Sequence, residues 1–174
     1  MSSPLPDHVD PWSAADSGTV FSGRLPLSSL PRLREFLVEG AGDVGFRLAF
    51  RRDNGGRAVV SGEVHAGLVL RCQRCLQPLA HRIDAGIELA LVSGIDEADR
   101  ISDGYDPLLA VDRLIRPRDL IEDELLLGLP QIPRHEPGAC RMQAPDRPSP
   151  VQEQPDDRVR PFAVLAAWKR ERSH

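Results

Sequence analysis

Three cysteines and five histidines carry the thiols and imidazoles of this sequence, and two of the cysteines stand three residues apart. Cys72-Gln73-Arg74-Cys75 brings two thiols to one point from a single turn. A metal, a disulfide or a redox couple can use that spacing. Structural zinc takes four tetrahedral ligands of sulfur or nitrogen, so the pair needs two more. Cys140 supplies a third thiolate, and His135, with four residues between it and Cys140, can reach the same ion from one loop. His81 is the reserve ligand. One structural zinc held by Cys72, Cys75, His135 and Cys140 is therefore expected, and it requires the fold to return residues 131–140 to the cysteine turn across the fifty-nine residues that separate Cys75 from His135. Two other readings stay open. A redox pair of the thioredoxin-like kind caps a helix whose N-terminus lowers a thiol pKa, whereas Leu76-Gln77-Pro78 leads into a strand. The third reading is a pair of free thiols in a turn.

Arg71, Arg74, His81 and Arg82 crowd the same hairpin end and are candidate phosphate contacts on RNA. No aromatic residue is interleaved with them, so base stacking is not indicated. Glu122-Asp123-Glu124 invite a reading as catalytic carboxylates, but consecutive helical residues point in different directions. They are expected on a solvated face. Neither a phosphate-binding glycine loop nor a nucleophile elbow nor a zincin motif occurs. No catalytic residue is assigned, and an enzyme is not expected.

The elements that must position these groups follow from periodicity. Val60, Gly62, Val64, Ala66, Leu68 and Leu70 alternate into the cysteine turn, and Leu79, His81, Ile83, Ala85, Ile87, Leu89 and Leu91 alternate out of it. Period two on both sides reads as strand, turn, strand. Val44, Phe46, Leu48 and Phe50 make an earlier strand, joined through the hairpin signal Asp53-Asn54-Gly55-Gly56. The long strand over 57–71 has bend points at Gly62 or Gly67. Residues 19–25 offer a first strand and 108–111 a short edge strand. Ser28 or Ser29 is an N-cap candidate for a helix with Leu30, Leu33, Phe36 and Leu37 as its buried stripe. A second helix starts at Pro117, carries Leu120, Ile121, Leu125 and Leu129, and stops at Pro130. The acidic stretch 93–105 reads as a surface loop.

Composition bounds the ends. Sixteen prolines in 174 residues cluster toward the two termini. Residues 1–17 are expected as a flexible arm, 18–140 as the core domain, 141–160 as a disordered linker and 161–174 as a short amphipathic C-terminal helix. Phe162, Leu165 and Trp168 on that helix are expected to dock on this protein or on a partner. The net charge of −4 is not the footprint of binding nucleic acid by bulk charge, although a local patch remains open. No apolar run approaches the ~20 residues a membrane span needs, and the N-terminus lacks the basic start and apolar stretch of a signal peptide. Three cysteines fit a reducing compartment. The expected location is the cytoplasm, with no membrane and no small-molecule substrate. The fold class expected is α+β, an antiparallel, partly curled sheet with two packed helices.

Cys72-Gln73-Arg74-Cys75 after a long strand, the run from Glu122 to Pro130, the pair His135 and Cys140, and Pro161-Phe162-Ala163-Val164-Leu165-Ala166 near the end together resemble the bacterial YceD family. The likeness covers about residues 25–140 and the C-terminal segment. It implies a non-catalytic role in accumulation of large-subunit ribosomal RNA, meaning its synthesis, processing or stability. The partner would be that RNA or an assembly intermediate, reached directly or through a protein. A zinc-knuckle module that binds protein is the alternative, and a thiol-disulfide redox protein comes third.

Overall fold

The computed structural model describes residues 5–101, 104–110 and 113–140. The expected linker over 141–160 and the expected C-terminal helix with Phe162, Leu165 and Trp168 lie outside the described residues. The element order is α1 (Pro11–Asp16), β1 (Val20–Pro26), α2 (Pro31–Arg34), β2 (Asp43–Arg52), β3 (Ala58–Arg71), β4 (Pro78–Val92), α3 (Ile95–Ala98), β5 (Asp106–Leu109) and α4 (Pro117–Leu127). The strands form one sheet in the order β1-β2-β3-β4-β5. The fold is α+β.

The first four strands are an antiparallel meander. Asp53 closes the β2–β3 turn by accepting the N–H groups of Gly55 and Arg57 on Oδ1, both at 2.8 Å. Gly56 takes φ 78° there, a conformation glycine adopts without a Cβ clash. Of the two expected bend points, Gly62 is the one where a side chain would not fit. A Cβ there would overlap the Arg47 carbonyl oxygen, while one at Gly67 would meet open space. The sheet buries the alternating set Val44, Phe46, Leu48, Phe50, Val60, Val64, Leu68, Leu70, Ile83, Ile87 and Leu91. Its other face presents Arg47, Glu63, Asp84 and Glu88 to solvent. On the buried face α4 contributes Leu120, Ile121 and Leu125, each nearly inaccessible. Burying each stabilises the fold by about 1.5–3 kcal/mol.

Four expectations change. Residues 5–17 are not a loose arm, because α1 packs on β2 and β3 through Ala14 and Ala15. Asp10 caps it by accepting from the N–H groups of Trp12 and Ser13, and Pro11 occupies the first turn. One of the N-terminal prolines, Pro11, is thus a helix start signal. Val9 pairs with Ile115 through two backbone hydrogen bonds of 2.9 Å, which fastens the segment further.

The helix expected through Leu37 is the single turn α2. Ser28 and Ser29 lie in a 3₁₀ turn before it and do not cap it. Leu30 and Leu33 are fully buried, but Phe36 is 56% exposed. The edge strand arrives earlier than expected and runs parallel to β4, because α3 turns the chain back within the acidic stretch expected to be loop.

The fourth change concerns Glu122, which is 2% exposed rather than solvated. Its Oε1 accepts the N–H groups of Arg32 at 2.7 Å and Leu33 at 3.0 Å, while Oε2 meets Arg32 Nε at 3.0 Å. A carboxylate from α4 thus caps α2, 90 residues away in sequence. Asp123 takes the same guanidinium at Nη1. The two neighbouring carboxylates therefore do share a partner, because arginine is long enough to reach both.

Candidate metal centre

The turn between β3 and β4 is closed by its own backbone. Leu76 N–H donates to the Cys72 carbonyl at 2.9 Å, and Cys72 N–H donates to the Gln77 carbonyl at 3.0 Å. Leu76 sits at φ 61°, a left-handed conformation that costs a residue with a Cβ about 1–2 kcal/mol. This tight path directs the Cys72 and Cys75 thiols to one side.

The remaining ligands come from the segment after α4. Gly128 lies so close to Ile83 of β4 that a Cβ would press on it, so the helix ends against the strand that leaves the cysteine turn. Beyond Pro130 the chain crosses to the turn. Gln73 N–H donates to the Pro133 carbonyl at 2.8 Å. His135 then bridges two parts of the site: its Nε2 lies 3.0 Å from the Pro78 carbonyl and its Nδ1 lies 3.3 Å from Cys75 Sγ. A carbonyl only accepts, so Nε2 carries a proton, and Nδ1 is the ring nitrogen that faces the sulfurs. This is the orientation that metal-ligating histidines receive from an outer hydrogen bond.

Cys72, Cys75, His135 and Cys140 present ligand atoms that all lie within 4.8 Å of one another. Cys72 Sγ is 3.7 Å from Cys140 Sγ, and Cys140 Sγ is 3.8 Å from His135 Nδ1. A tetrahedral zinc with its usual bond lengths sets two thiolates about 3.8 Å apart and a thiolate and an imidazole nitrogen about 3.6 Å apart. A disulfide needs about 2.05 Å, and all three cysteines are free. The cluster could hold a metal ion.

The electrostatics favour thiolate at the turn. Burial works to push the Cys72 thiol up. The backbone N–H groups of Cys75, His135 and Arg74 outweigh it, with help from the Cys75 side chain, and hold the group down to about 5. Arg74 N–H lies 3.4 Å from the Cys72 sulfur. Cys140 is pushed up, by burial first and then by its contacts with Cys72 and Cys75. Cys72 is thus ready as thiolate, and a cation would displace the proton of Cys140.

The basic residues expected at the same end are not gathered into one patch. Arg82 spends its guanidinium on Asp84, with contacts of 2.7 and 3.1 Å. Its neighbour His81 points to the opposite face of β4, as alternation requires, and stands opposite Leu68. His81 is not among the four clustered donors. Arg71 and Arg74 remain exposed at the tip. Sequence reasoning missed Arg134, which lines a depression of about 570 Å³ with Gln73, Arg74, His135 and Pro137. Its position beside a candidate ligand was the available signal.

Residues 60–169, which include all four clustered donors, match the family described as large ribosomal RNA subunit accumulation protein YceD. The chain is 32% identical over 175 residues to the large ribosomal RNA subunit accumulation protein YceD of Haemophilus influenzae, across 95% of this chain and 96% of that protein. No solved structure matches. No helix among the described residues is long and apolar enough to cross a membrane. The donors, the strand that leads to them and the helix that returns the second pair all fall within the likeness, and the chain belongs to the YceD family.

Proposed function

We propose that this protein is a cytoplasmic, non-catalytic factor that supports the synthesis, processing or stability of large-subunit ribosomal RNA, and that one structural zinc at Cys72, Cys75, His135 and Cys140 holds its working end together. Family membership carries the functional reading: the relative that matches along nearly the whole chain is named for accumulation of that RNA. The donor chemistry supports the zinc. Three sulfurs and one imidazole form a closed set with no position for a reacting water, as structural rather than catalytic zinc requires. The thiol pair leads into β4 and caps no helix, which argues against redox exchange.

Deleting the gene is expected to lower large-subunit relative to small-subunit ribosomal RNA. An unchanged ratio under slow growth and cold stress overturns the reading. Protein purified without chelator is expected to carry close to one zinc per chain, and Cys72→Ser to lose it. Well under half an equivalent in the unaltered protein would leave the cysteines as packing residues.

A further inference from the structure

The depression beside the four donors is built from two segments that are far apart in the chain. Arg74 comes from the cysteine turn and Arg134 from the loop after α4. Both backbones are anchored. Arg74 N–H donates to Cys72 Sγ. Arg134 stands between Pro133, whose carbonyl receives Gln73 N–H, and His135, whose ring is tied to Pro78. No carboxylate is among the residues that line the depression. Among the described residues neither guanidinium has an acidic partner, in contrast to those of Arg32, Arg52, Arg82 and Arg118. Two anchored, unneutralised arginines in a concave site on a chain of net charge −4 make a local positive field that the whole molecule does not have. Gln73 adds an amide.

We propose that Arg74 and Arg134 form a phosphate-binding site for the backbone of RNA, and that the site is assembled by joining the cysteine turn to the 131–140 loop. This rests on the functional reading above and gives it a direct contact. Arginine matches a phosphate with two parallel N–H donors, and such contacts position a protein on RNA without reading its sequence. The lack of aromatic lining agrees with backbone contact rather than base stacking. Because each arginine sits next to a residue of the donor cluster, releasing Cys140 and His135 from Cys72 and Cys75 would separate the two charges.

The test uses full-length zinc-loaded protein and a labelled single-stranded transcript of large-subunit ribosomal RNA. Each lost contact to a single strand removes about 0.7 from the slope of log affinity against log salt. The double variant Arg74→Ala/Arg134→Ala is expected to keep its zinc and its melting temperature, bind several-fold more weakly and lose about 1.4 of that slope. Arg134→Lys is expected to keep the slope. Arg82→Ala is expected to bind as the parent does, since Asp84 already neutralises it. Cys140→Ser is expected to weaken RNA binding in the parent and to add little in the double variant, which isolates the coupling. An unchanged affinity and slope in the double variant overturns the site, as does failure of the parent to bind the transcript. So does a double variant that loses a protein partner while its RNA affinity stands. If deletion of the gene lowers the RNA ratio while the double variant binds RNA normally, the functional reading survives and this site does not.

Discussion

Glu122 shows how much one side chain can organise. The first N–H groups of a helix lack partners within it, and α2 is too short to dilute that cost. Both Glu122 oxygens are engaged, with two backbone N–H groups and one guanidinium. Arg32 is in turn held above its usual pKa range, through Glu122 first and Asp123 second. Glu122→Ala would leave buried donors unpaired and is expected to cost about 2–4 kcal/mol by urea denaturation. Asp123→Ala breaks a pair that is about half exposed at both ends and is expected to cost under about 1 kcal/mol. Equal costs for the two would show that Glu122 does not cap α2. None of this was legible in the sequence. What the carboxylate does is decided by N–H groups 90 residues earlier, and no local pattern records them. Cys72, Cys75, His135 and Cys140 could be picked out beforehand because cysteine and histidine are scarce here and zinc chemistry restricts donors to those types.

At the level of elements, α4 carries the connection between the core and the candidate centre. Its buried stripe was legible from period 3.6 and Pro117 marked its start, but it ends at Leu127 with Gly128 as its C-cap, so Leu129, expected on the helix, lies beyond it and Pro130 is not what stops it. Leu120, Ile121 and Leu125 are buried as that period implies. The short elements were harder, since a one-turn helix such as α2 or α3 has no period to detect and is set by tertiary partners. The exposed side of α4 meets the β5 edge, where Glu124, Asp106 and Glu88 line one small depression. Burial raises the Glu124 pKa, and the charges of Asp106 and Asp123 raise it further. A carboxyl group whose folded pKa exceeds its unfolded value binds more protons when folded. Its contribution is therefore fully present below the unfolded value, near 4.5, and is lost as pH rises through the raised one. Glu124→Gln is expected to raise the melting temperature at pH 7 and to leave it nearly unchanged at pH 4. Equal effects at both values would assign the gain to something other than ionisation.

At the scale of the whole fold, the candidate centre depends on the sheet, while the sheet does not depend on the centre. The meander is local in sequence, each strand pairing with its predecessor, and it needs no metal to find its register. The 131–140 loop is different. Sixty-four residues separate Cys75 from Cys140, and only a few hydrogen bonds among the described residues carry the loop onto the turn, chiefly Gln73 to Pro133 and His135 to Pro78. Because β4 and α4 are already seated in the core, what remains is to order residues 131–140 on the turn, and that costs conformational entropy that two or three exposed hydrogen bonds offset poorly. The zinc proposed for the four donors would supply the missing free energy, of the order of several kcal/mol. Its removal should therefore act unevenly. With a strong chelator the melting temperature is expected to fall. Amide hydrogen exchange is expected to accelerate at Gln73, at Cys72 and along residues 131–140, while the β2–β3 turn at Asp53–Gly56 keeps its protection. Acid should mimic the chelator, because thiolate and imidazole ligands are released on protonation. A melting temperature indifferent to chelator would show that the loop is held by packing alone, and uniform acceleration of exchange would show that the ion supports the entire fold rather than the clasp at its end.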